Sequence, residues 1–139
     1  MKSLFYSLLL ISAFLLSGCS DNAIVNTFDK NISKNKISCL RLVVFPPNET
    51  AESLLRGLYD FNPDCEYRLE VSQKGGIVCN SNQNAAKKTL SNFPSTYLRM
   101  DVSKNGRAVY SYYIDLLDEV NEDDVKRAFI RVKKDILKD

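Results

Sequence analysis

The sequence predicts an α+β fold, an antiparallel sheet with helices mainly on one face. Three observations carry that expectation. Cys65 to Val71 alternates between Cys65, Tyr67, Leu69 and Val71 on one side and Glu66, Arg68 and Glu70 on the other, the period of a half-buried strand. Asn105-Gly106, the strongest short hairpin signal in the chain, separates strand-like runs at 96–103 and 107–116. From about Glu122 a helical period begins behind Asn121, with Val125, Phe129, Val132 and Ile136 on one stripe.

Ahead of these elements, Met1 and Lys2 precede an apolar run from Leu4 to Leu16 interrupted only by Ser7 and Ser12, and Leu16-Ser17-Gly18-Cys19 closes it. A basic start, a short apolar core and small residues at its end make a secretory signal. The run of thirteen residues is short of the roughly 20 that cross a bilayer. Leu-Ser-Gly-Cys resembles the lipobox of bacterial lipoproteins, and the resemblance covers about the first twenty residues. It implies diacylglycerol on the Cys19 thiol, cleavage just before that residue, and an acylated new N-terminus. Ser20 is not the aspartate that holds such proteins in the inner membrane of enteric bacteria. By the same resemblance the expected place is the outer membrane, facing the periplasm. The expected organisation is therefore a signal peptide at 1–18, a lipid-anchored tether at 19–38 and a single globular domain at 39–139. The tether expectation comes from a segment rich in Asn and Lys, poor in aliphatics and without a helical period; nineteen such residues span on average about 24 Å.

The first strand is Leu40 to Phe45 (LRLVVF), nearly unbroken in apolarity and closed by Pro46-Pro47. Residues 48–61 read as a helix. Asn48 or Thr50 can cap it, Glu49 and Glu52 suit its positive end, and Ala51, Leu54, Leu55, Leu58 and Phe61 share one side. Beyond the alternating strand, Lys74-Gly75-Gly76 allows a turn and Ile77 to Cys79 returns as a partner strand. A weaker helix is expected at 82–93, on Ala85, Ala86, Leu90 and Phe93. Leu98, Met100 and Val102 define the buried face of the next strand, and the last helix carries Glu122, Asp123 and Asp124 at its start and Lys133, Lys134 and Lys138 near its end. The order β-α-β-β-α-β, then β-α, matches the split β-α-β (ferredoxin-like) arrangement over its first six elements.

That topology makes the first and third strands antiparallel neighbours. Cys39 begins one and Cys79 ends the other, so Cys39–Cys79 is the expected disulfide, with Cys39–Cys65 next. Export to an oxidising compartment favours one bridge and one leftover thiol.

Composition narrows the chemistry. Removing Lys2 from 19 basic side chains leaves 18 against 17 acidic ones, a net charge of +1 after cleavage, and the charges are interspersed. Nucleic acid is not an expected partner. The chain has no histidine, which excludes Ser-His-Asp and Cys-His catalysis, imidazole acid–base work and His-containing zinc sites. The acidic run Asp115, Asp118, Glu119 and Glu122 to Asp124 lacks the spacing of a calcium loop, and half of it suits a helix N-terminus. Glu66 and Glu70, on one strand face, stand about 13 Å apart, too far to flank one glycosidic bond. No catalytic residue, metal or cofactor is assigned. Tyr110 and Tyr112 fall opposite the face given to Val109 and Leu98, where exposed aromatics suit a protein-binding surface. The expected function is that of a lipid-anchored envelope protein acting through protein–protein contact, as an accessory or assembly factor. The alternative is an exclusion or inhibitor lipoprotein directed against phage, plasmid transfer or a lytic enzyme.

Overall fold

The computed structural model describes residues 22–75 and 96–138. Its elements are β1 (Ile24–Thr27), β2 (Arg41–Val44), α1 (Glu49–Leu58), β3 (Tyr67–Lys74), β4 (Thr96–Lys104), β5 (Arg107–Leu116) and α2 (Glu122–Ile136). The class is α+β, as expected. Five strands form one sheet in the order β1-β5-β4-β3-β2. Both helices pack on one face, where Leu55 of α1 and Phe129 of α2 share a core with Leu69, Val71, Met100 and Tyr112. The return strand expected at 77–79 and the helix expected at 82–93 lie outside the described residues.

Element ends follow local chemistry. The Asn48 side chain accepts from the Ala51 N–H at 2.9 Å and starts α1. In α2 the Asn121 side chain accepts from the Asp124 N–H while Asp124 accepts from the Asn121 N–H, both at 3.0 Å, a capping box worth about 1 kcal/mol or more. Asn105 (φ 49°) and Gly106 (φ 77°) take the two left-handed positions that a tight two-residue hairpin requires.

The sheet is mixed rather than antiparallel. β2 and β3 are parallel neighbours, Leu42 beside Leu69 and Val44 beside Val71, with α1 as the crossover between them. The split arrangement would have placed another strand there, so that topology is corrected. Parallel neighbours begin side by side, and this decides the disulfide. Cys39 bonds Cys65, with their Cα atoms 6.0 Å apart, in place of the expected Cys39–Cys79 pairing. Cys79 lies outside the described residues.

The expected tether is also corrected. β1 is an edge strand hydrogen-bonded antiparallel to β5, Ile24 beside Tyr113 and Thr27 beside Tyr110. Ile32 is 3 % exposed. The Ile37 N–H donates to the Ile136 carbonyl at 2.8 Å, and the Lys138 N–H donates to the Ile37 carbonyl at 2.9 Å. From β1 onward the chain straps the domain. Ala23, Val25, Ile32 and Ile37 pack against the core while Ile24 and Phe28 stay exposed, so the apolar residues show no period.

The central hairpin carries a β-bulge. Val102 faces Tyr110, but Ser103 faces Ala108, which leaves Val109 as an extra residue in β5. Alternation read outward from Val109 puts Tyr110 and Tyr112 on the outer face. The bulge turns both inward beneath α2, 0 % and 1 % exposed, because a one-residue offset moves every following side chain to the other face. The expectation that these two tyrosines form an exposed surface is corrected.

Two measurements check this architecture. Ile32→Ala should cost about 2–4 kcal/mol in urea unfolding, as a buried aliphatic does, whereas a tether position would tolerate it. Non-reducing peptide mapping should link Cys39 to Cys65. Replacing both by Ala should remove about 3.5 kcal/mol, the chain-entropy value for the 26-residue separation.

Candidate functional site

The sheet face opposite the helices gathers side chains from all five strands, and among the described residues no helix lies over it. Its rows follow from the register. Arg41, Arg68 and Ser103 form one, and Val43, Glu70, Asp101, Ser111 and Asn26 the next. Ser72, Arg99, Tyr113 and Ile24 make a third, and Lys74, Tyr97 and Asp115 a fourth. β4 places Tyr97, Arg99 and Asp101 here because Leu98, Met100 and Val102 point into the core.

Tyr97 and Tyr113 stack diagonally across β4 and β5, centroids 5.7 Å apart and rings 25° from parallel. The Tyr113 hydroxyl donates to Asp115 Oδ1 at 2.6 Å, and that bond, ahead of burial, raises its pKa. Ile24 extends the aromatic pair to the β1 edge, 57 % exposed. Beside the aromatics, Glu70 and Asp101 stand directly opposite each other, an unfavourable pairing of like charges. Each carboxylate is held by an arginine two residues away on its own strand: Arg68 to Glu70 at 3.0 Å and Arg99 to Asp101 at 2.6 Å. Two groups remain unmatched among protein atoms. Arg68 Nε and Asp101 Oδ1 are buried, one a donor and the other an acceptor, and neither has a hydrogen-bond partner. Leaving such groups unmet costs roughly 1–3 kcal/mol each.

The other residues singled out from sequence are used structurally. The Tyr110 hydroxyl donates to Asp135 Oδ2 at 2.8 Å, and Arg131 pairs with the same carboxylate at 2.9 Å. Burial, then that hydrogen bond, holds the Tyr110 pKa well above the ordinary tyrosine value. Glu66 binds Lys104 at 2.9 Å and Glu70 binds Arg68, so both carboxylates weighed for glycoside chemistry are paired. In the acidic run, Asp124 serves the α2 cap and pairs with Arg127. Among the described residues no three Cys, Asp or Glu side chains cluster as metal ligands would. A shallow recess of about 290 Å³ beside the disulfide is lined by Arg41, Arg68, Asp64 and Glu66; its opposed charges define no single-sign ligand. No described helix is long and apolar enough to cross a membrane. Cys19 lies outside the described residues.

Sequence reasoning placed the aromatic surface on the wrong pair. Tyr97 was legible, since it alternates against Leu98. Tyr113 was not, because its face depends on the bulge. Compared with protein-family models, curated proteins and solved structures, the chain matches none.

The Tyr110 contact has a testable pH signature. The folded tyrosine stays neutral where the unfolded one ionises, so its stabilisation is complete below about pH 10 and is lost as pH rises beyond it. Tyr110→Phe should lower stability at neutral pH by about 1.5–3 kcal/mol. It should also flatten the alkaline decline, read as urea midpoints at neutral pH and near pH 11.

Proposed function

We propose that this is a lipid-anchored bacterial envelope protein that acts by binding another protein through the helix-free face of its sheet, as an accessory or assembly factor for an envelope complex. The observation that carries the reading is the stacked Tyr97–Tyr113 pair, set beside a band of fixed charges. Rigid aromatics dominate protein interfaces because they bury large areas at low entropic cost. The lipobox at Leu16 to Cys19 supplies the anchor. The chain lacks histidine, Glu70 and Asp101 on this face are held in ion pairs and Asp115 accepts from the Tyr113 hydroxyl, so the arrangement favours binding over catalysis.

In-cell photo-crosslinking tests this, with a tag after Asp139 and Cys19 intact. A crosslinker at Ser72, beside Arg99 on the same face, should capture one resident envelope complex. Tyr97→Ala with Tyr113→Ala should reduce capture about tenfold or more without changing thermal stability appreciably. Equal capture from Ile130, on the outer side of α2, would refute the face. Capture of no resident protein, together with changed sensitivity to phage, conjugation or lysozyme, would favour the exclusion reading.

A further inference from the structure

Five residue-to-residue steps separate Cys19 from Ile24, the first residue of β1. Fully extended, they reach at most about 18 Å. β1 is fixed in the sheet, so an acyl chain on Cys19 brings one particular end of the molecule to the bilayer. At that end lie the start of β1 and β4, the ends of β2, β3 and β5, and the N-termini of both helices.

That end is also where exposed apolar side chains collect. Of five large exposed hydrophobics among the described residues, three belong to it: Ile24, Phe45 (66 % exposed) just after β2, and Leu117 (56 % exposed) just after β5. Of the others, Phe28 follows the far end of β1 and Ile130 lies on α2. The rim runs from β1 to β2 across five strands, about 19 Å at the usual strand spacing. Among the described residues its exposed charges are Lys74 against Glu49, Asp115, Asp118, Glu119, Glu122 and Asp123. An acidic balance repels anionic headgroups, so apolar contact rather than electrostatic attraction suits this surface.

We infer that the rim formed by Ile24, Phe45 and Leu117 rests in the headgroup–acyl boundary of the membrane that holds the anchor, with the strands upright on the bilayer. The inference rests on lipidation of Cys19 as proposed above. Three side chains at this depth contribute little binding alone; tethered by lipid, they set orientation. The Asn105-Gly106 turn then stands about 30 Å above the rim, one length of β4 away. The Tyr97–Tyr113 face stands sideways near the membrane, open to a partner that shares it.

The chain has no tryptophan, so single reporters have no background. Phe45→Trp, Leu117→Trp and, at the far end, Arg107→Trp are expressed as full chains, and the acyl mass on Cys19 is verified. Each is reconstituted into phosphatidylcholine vesicles whose lipid is brominated near the top of the acyl chain. Fluorescence should fall about twofold or more at positions 45 and 117 and stay unchanged at 107. Added phosphatidylglycerol should not deepen the quenching. With the acyl mass present, quenching at neither rim position, or equally at all three, overturns the orientation while the anchor stands. Absence of the acyl mass overturns both.

Discussion

The bulge at Val109 fixes which side of this molecule is inside. β5 is the strand next to β1 and β4 alike, and every side chain after the bulge takes its face from that one extra residue. Tyr110 and Tyr112 become the two largest fully buried side chains, and Tyr113 is delivered to the open face. The bulge also holds the strap: the Val109 carbonyl accepts from the Phe28 N–H at 3.0 Å and the Asp29 N–H at 3.3 Å. One irregularity therefore sets the core, the candidate binding face and the exit of β1 together.

The strap and the disulfide close opposite margins of the sheet. β1 covers one edge of the sheet, while the bond between Cys39 and Cys65 ties the starts of β2 and β3 at the other. Between them, Tyr59 and Phe61 pack on Phe129, with centroids 6.0 and 5.7 Å from its ring, and join the end of α1 to α2. Exposed edge strands invite unwanted pairing. Here both are four residues long. The domain can thus present one wide open face without long free edges beside it.

That open face is not a second core. Its charges alternate in sign, and its large apolar side chains among the described residues are Tyr97, Tyr113, Ile24 and the half-buried Val43. Opposed Glu70 and Asp101 are tolerated only because each has an arginine of its own. The result is a surface stable in water yet able to gain from a partner that desolvates the tyrosines. If the anchor reading holds, the short link from Cys19 makes the orientation of this face as important as its chemistry.

The α+β class, the hairpin at Asn105-Gly106, the Asn121 cap and the buried stripe of α2 were legible in the sequence, with Asn48 one of two candidate caps for α1. Each depends on residues close in the chain: a turn needing two positive φ values, a side chain capping an N–H three residues on, a 3.6-residue period. The resemblance of Leu16 to Cys19 to a lipobox is read in the same local way. Only the tertiary structure decided the parallel pairing of β2 with β3, and hence the partner of Cys39, because strand order is a matter of distant contacts. It alone showed that Val25, Ile32 and Ile37 pack against the core, since each meets a different neighbour. It alone moved the aromatic surface from Tyr110 and Tyr112 to Tyr97 and Tyr113, because a bulge shifts register without leaving a mark in composition.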